Sequence, residues 1–206
     1  MLNNWPPTNR LEDLIPGNTY HIYNKALSSD KLFICRNDYI YFLQKVERYI
    51  LKVADLLAYC LIPNHFHLLI NIKEIDDITI PGKYSEIPDL YLIQVFSNFF
   101  NSYTKSFNNA HKRAGRLFLH SFYRILVDND DYLVYLINYI HQNPKHHYLS
   151  KSLSDWKYSS YYAIISNSET LVNRKLVLSI FGSVIEFITY HYENPTKSGI
   201  SEYLLE

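Results

Sequence analysis

Two apolar, β-prone segments, 53–62 and 65–72, follow one another with only Pro63-Asn64 between them. That dipeptide marks a turn or kink. Two strands in such close succession constrain the fold most. Around them, 19-TYHIYNKAL-27 alternates and predicts a first strand. Residues 37–52 open on a cap candidate, Asn37, and repeat Ile40, Leu43, Val46 and Ile50 at helical spacing. Residues 90–110 lack Pro and Gly and keep a helical apolar period. The segment 116-RLFLHSFYRILV-127 predicts a fourth strand, and Asp128 is a cap for a helix over 129–142, which Asn143-Pro144 is expected to stop. The order is β-α-β-β-α-β. It predicts an α+β, ferredoxin-like sandwich with an antiparallel sheet, followed by a tyrosine-bearing helix and C-terminal helices.

The segments between these elements divide the chain. Residues 1–18 read as an irregular lead-in, 19–162 as one catalytic-type domain and 163–206 as a C-terminal extension, with a helix over 174–192 and a polar tail after it. Residues 74–89 form a loop or insertion, and 150–173 short turns and helix fragments. With 48% hydrophobic and 19% charged residues the chain is globular. Zero formal net charge argues against bulk electrostatic attachment to nucleic acid or membrane, but leaves room for a local basic patch. Cys35 and Cys60 show no metal spacing and imply no disulfide framework, which fits a reducing compartment. No signal peptide is expected, and no apolar run approaches a membrane span.

Three features carry candidate chemistry. His65 and His67, in 60-CLIPNHFHLLINI-72, alternate with Phe66 and so project from one face of their strand. Paired imidazoles suit a divalent metal, though two half-buried structural histidines would read the same way. Tyr135, Tyr139 and Asn143 share one face of the helix after Asp128. Tyrosine can attack phosphorus and an Asn carbonyl can ligate a hard cation, yet an amphipathic helix packing its tyrosines on a sheet gives the same pattern. Finally, residues 90–127 hold Lys105, Lys112, Arg113, Arg116 and Arg124 with no Asp or Glu, interleaved with aromatics. Bases stack on aromatics and phosphates follow cations, as single strands and hairpins require, though a solvated basic face is the plain alternative. Lys145 and His146, in 144-PKHHY-148, form a second basic cluster beside the tyrosine helix.

Taken together these segments resemble the REP-associated tyrosine transposases, within the wider single-tyrosine HUH (His-hydrophobic-His) family. IPNHFHLLI is similar to that family's PNHxHLL segment, YHIYNKAL to its first strand, and GRLFLHSFYRILVDNDDYL to its G-x-L-[FW] segment. YIHQNPKHH and DWKYSSY are similar to its YIHxNPV+H and W-x-[FYW]-S-S-Y motifs. The resemblance spans about Thr19 to Tyr162; Lys145 departs from the small apolar residue usual after Asn-Pro.

The resemblance implies His65, His67 and Asn143 as ligands to Mg²⁺ or Mn²⁺, Tyr139 as nucleophile, and cleavage of single-stranded DNA through a 5′-phosphotyrosine link with later rejoining. It implies a palindromic-repeat DNA hairpin as partner, bound by a monomer or homodimer in a bacterial cytoplasm beside the nucleoid, with no membrane role. The basic residues Lys105, Lys112, Arg113, Arg116, Arg124, Lys145 and His146 would contact that DNA. Three alternatives stand beside it: a domesticated hairpin-binding protein without cleavage, a replication- or conjugation-type nickase, and a metal-dependent hydrolase with no nucleic-acid role.

Overall fold

A computed structural model describes residues 11–27 and 30–196. The first ten residues of the expected lead-in, and the tail from 197, lie outside the described residues. Strands β1 (Thr19–Lys25), β2 (Ala54–Ile62), β3 (His65–Ile72) and β4 (Tyr123–Val127) form one antiparallel sheet in the order β2-β3-β1-β4. Helices α1 (Arg36–Tyr49) and α2 (Pro88–Ala110) complete the expected β-α-β-β-α-β order. Strands β1 and β3 lie at the centre, paired on both edges and buried along most of their length.

The pair β2–β3 is a hairpin. Ile62 pairs with His65, so Pro63 and Asn64 are the whole turn. Its carbonyls are tied down: Pro63 accepts from the backbone N–H of Leu32 (2.8 Å) and Phe33 (3.1 Å), and Asn64 from that of Ala26 (2.8 Å). A bulge between Leu56 and Ala58 precedes the register that sets Cys60 opposite His67. Alternation then gives β3 two faces. Phe66 meets the helical layer, its ring centroid 5.0 Å from Phe42 and 5.9 Å from Phe100. His65 and His67 point the other way, toward α3 (Asp130–His146), which covers the opposite face.

Four boundaries differ from expectation. The buried stripe of α1 is Tyr39, Phe42 and Val46, so Ile40 is exposed, and the cap is Cys35, where the Asp38 carboxylate accepts from the Ile34 and Cys35 N–H groups. Strand β4 begins at Tyr123 and not at 116, because the Asn24 side chain donates to the His120 carbonyl (2.9 Å) where a longer ladder would run. Helix α3 is capped by Asn129, whose Oδ1 accepts from Tyr132 N, and it continues through Pro144 to His146. Pro144 forfeits one ladder bond. Burial of Asn143 and Pro144 holds the last turn, and the His147 and Leu149 N–H groups cap the Asn143 and Pro144 carbonyls. The expected C-terminal helix is two, α5 (Arg174–Phe181) and α6 (Val184–Glu193), after a short α4 (Tyr161–Ile165). Gly182, at φ 95°, breaks it in a conformation that other residues avoid, and the Ser183 hydroxyl caps α6.

Candidate metal and tyrosine site

The antiparallel register and α3 bring four distant residues to one place. His65 and His67 stand 5.1 Å apart, ring to ring, edge against face. Across from them, Tyr139 lies 5.7 Å from His67, and Asn143, one helical turn further, turns its Oδ1 toward His65 Nε2 at 3.5 Å. All four are at most 1% exposed. Burial pushes the His65 pKa down to about 3, assisted by His147 and opposed by Asn143, and holds His67 well below the usual range. Both imidazoles are therefore neutral at pH 7.

Hydrogen-bond directions in this cluster do not close. The Asn143 amide donates from Nδ2 to the Tyr139 carbonyl (3.1 Å), which fixes its oxygen toward His65. A neutral His65 has one N–H but faces two oxygens, Asn64 Oδ1 at 3.1 Å from Nδ1 and Asn143 Oδ1 at 3.5 Å from Nε2. The shorter contact takes the proton, leaving a lone pair on Nε2 facing a lone pair on Asn143. His67 Nε2 is buried without a hydrogen bond of ordinary geometry, although Asn143 lies close enough to favour its protonation. Leaving such groups unpaired costs about 1–3 kcal/mol each. A cation between His65, His67 and Asn143 would satisfy all three. Two imidazole nitrogens and one amide oxygen are a donor set that Mn²⁺ or Mg²⁺ accepts, and adjacent ligands about 2.1 Å from one ion stand about 3 Å apart.

Tyr139 Oη is likewise buried without a partner. Burial raises its pKa above the usual phenol range, while Asn143 works against that rise without making a bond of ordinary geometry.

Three neighbours add to the site. Lys25 pairs with His65 in the β1–β3 register, and its charge disfavours protonation of that histidine. His147 lies with its ring centroid 4.8 Å from that of His65, the two rings edge to face, and its Nε2 is buried without a partner. His21 bonds His67 directly, Nε2 to Nδ1, at 2.9 Å. His21 and Lys25 were visible in YHIYNKAL as alternate residues of one strand. That this face would meet His65 and His67 depends on strand register, which no local pattern shows.

The basic residues fall in several places. Lys105 is exposed on α2 and Lys112 on the loop after it; Lys145 is exposed at the end of α3. Arg113 is engaged, by an ion pair to Asp30 (2.5 Å) and a bond to Asn108 Oδ1 (2.9 Å). Arg116 donates to the Leu119 carbonyl, and Arg124 to that of Glu12. His146 packs 6.1 Å from Tyr139 and holds the Thr196 carbonyl at 2.9 Å. Among the described residues one trio of His, Cys, Asp or Glu brings its ligand atoms within 4.8 Å of one another: Cys35, Asp38 and His111. Its carboxylate is already spent, on two backbone N–H groups and on His111 at 2.8 Å, as the lock between α1 and the end of α2.

No family model matches the chain. A protein of Haemophilus influenzae, provisionally described as a REP-associated tyrosine transposase, is 31% identical over 110 residues, which span 52% of this chain and 59% of the relative. A solved structure of a REP-associated tyrosine transposase bound to a REP hairpin superposes with a TM-score of 0.57 at 16% identity, covering 81% of this chain and 94% of the other. Sequence and fold together relate this chain to the REP-associated tyrosine transposases.

Proposed function

We propose that the protein is a metal-dependent single-stranded DNA endonuclease and strand transferase that acts on DNA carrying a palindromic-repeat hairpin, in the cytoplasm beside the nucleoid. The carrying observation is the convergence of His65, His67 and Asn143 with incomplete hydrogen bonding, one helical turn from an unpaired Tyr139 hydroxyl. A divalent ion held by those three residues would polarise the scissile phosphate and draw off its developing charge. The chain's own groups do the rest. Lys25, opposite His65 in the β1–β3 register, would offer its charge to a phosphate oxygen. Tyr139 Oη loses its proton and attacks phosphorus; the Oη–P bond forms, the bond to the 3′ oxygen breaks, and that oxygen takes up a proton. The product is a 5′-phosphotyrosine and a free 3′-hydroxyl, which can later reverse the attack with no external energy source. Because Tyr139 is wholly buried, the wall over it must open as DNA enters.

That burial also favours a second reading, hairpin binding without cleavage. One experiment separates the two. The protein is incubated with Mg²⁺ or Mn²⁺ and single-stranded DNA from the flanks of its own gene, then run on a denaturing gel. A covalent protein–DNA band that Tyr139→Phe abolishes supports the transferase. Hairpin binding without any band supports the second reading.

A further inference from the structure

We infer that His21 is the positioning residue that fixes the tautomer of His67. The inference rests on the reading of His65, His67 and Asn143 as metal ligands. His21 Nε2 and His67 Nδ1 are 2.9 Å apart and both residues are fully buried, so the contact holds one hydrogen and water cannot replace either partner. Two arrangements are possible. If His67 donates, its Nε2 keeps a lone pair directed away from His21. If His21 donates, His67 carries its hydrogen on Nε2 and cannot ligate. Without an ion neither arrangement is favoured, since the first leaves the His21 Nδ1 hydrogen unpaired and the second the His67 Nε2 hydrogen. A cation selects the first arrangement, and His21 as acceptor supports it.

Asn64 does the same for His65, accepting from Nδ1 at 3.1 Å. The two supports differ in kind. An Asn oxygen can only accept, whereas an imidazole nitrogen can accept or donate. His65 is therefore committed before any ion arrives, and His67 becomes committed with it. The ring planes are held for this exchange: His21 stacks on His67 with centroids 5.0 Å apart and planes 22° apart, and on Tyr23 at 4.8 Å and 27°.

The test uses the full chain with ¹⁵N-labelled histidine. Long-range proton–nitrogen spectra report each tautomer, and Mg²⁺ or Mn²⁺ affinity is measured by calorimetry. His67 is expected in the Nδ1–H form when Mg²⁺ is bound. His21→Phe keeps the stacking but removes the acceptor, and should weaken metal binding ~10–100-fold. His21→Gln, which supplies an acceptor oxygen, should recover most of that loss. A merely structural role would not distinguish Phe from Gln in this way. Metal-bound wild type with His67 in the Nε2–H form overturns the inference, as does undiminished affinity in His21→Phe while His65 and His67 signals still respond to Mg²⁺. If those signals never respond to Mg²⁺, the metal reading and the inference both fall. Should His21→Phe not fold, the wild-type spectrum alone decides.

Discussion

Helix α3 carries two buried histidine clusters, and they differ in whether their hydrogen bonds close. On one side His141 joins His191 of α6, Nδ1 to Nε2 at 2.9 Å, and Ser160 Oγ at 2.7 Å. His191 Nδ1 donates to the Phe187 carbonyl (2.7 Å), so its Nε2 accepts from His141. His141 Nε2 in turn accepts from Ser160, whose oxygen accepts from Tyr59 N at 2.9 Å. Each nitrogen of this pair has a partner, and one direction runs through the whole chain of bonds. On the other side, around His65 and His67, acceptors face acceptors. Both clusters are equally dry. The difference teaches that burial does not tell the two clusters apart; completeness of pairing does.

The largest effect expected from breaking this contrast is on chemistry. Tyr139→Phe should remove the covalent DNA adduct altogether while leaving hairpin affinity, measured by gel shift, within about twofold, since one hydroxyl is lost from a helix that still packs. Retention of the adduct would place the nucleophile elsewhere. Next comes His67→Ala, expected to weaken Mn²⁺ binding by at least about 100-fold. Melting curves should separate the two clusters. His141→Ala should cost about 2–4 kcal/mol, because it opens a cavity and strands Ser160 and His191. His67→Gln, measured without metal, should cost much less, and an equal loss would erase the distinction drawn here.

Acid should then act on the closed cluster. Burial lowers the His191 pKa to about 4 and holds His141 well below its ordinary value of 6.5. The unfolded chain binds protons first, so the stability contributed by these neutral imidazoles is fully present above pH 6.5 and is lost as the pH falls toward 4. His191 alone accounts for about 3 kcal/mol of that loss. His21 and His65, each lowered to about 3, push in the same direction. Denaturant titrations at pH 7.5 and 4.5 check the sign, and saturating Mn²⁺ at pH 7.5 should raise stability through the open cluster alone. The smallest effect should be that of Lys112→Ala, a modest loss of hairpin affinity with the salt slope reduced by about one.

Much of this was legible in the sequence. The element order followed from period and punctuation, and the alternation of His65, Phe66 and His67 correctly placed both imidazoles on one face. The spacing of Tyr139 and Asn143 placed them one turn apart on α3. What escaped was set by tertiary context. Pro144 stops a helix in isolation but sits inside the last turn here because Asn143 and Pro144 are buried. Ile40 shares the helical period yet is exposed, because Tyr39 and Phe42 have rings to meet, Phe33 for Tyr39 and Phe66 for Phe42. The roles of His21, Lys25 and His147 depend on register and on the exit of α3. Basic residues were countable, but a count could not show that Arg113 is taken up by Asp30.

The position of β3 has a consequence for motion. It is laddered to β2 on one edge and β1 on the other, so the backbone carrying His65 and His67 cannot open without breaking both. Helix α3 has no such double anchorage. Amide exchange should therefore be slowest along β3, near the rate set by global unfolding, and faster toward the end of α3. In the proposed reaction the imidazoles would then be the fixed frame of reference, and whatever adjustment DNA demands would fall to the helix that carries Tyr139.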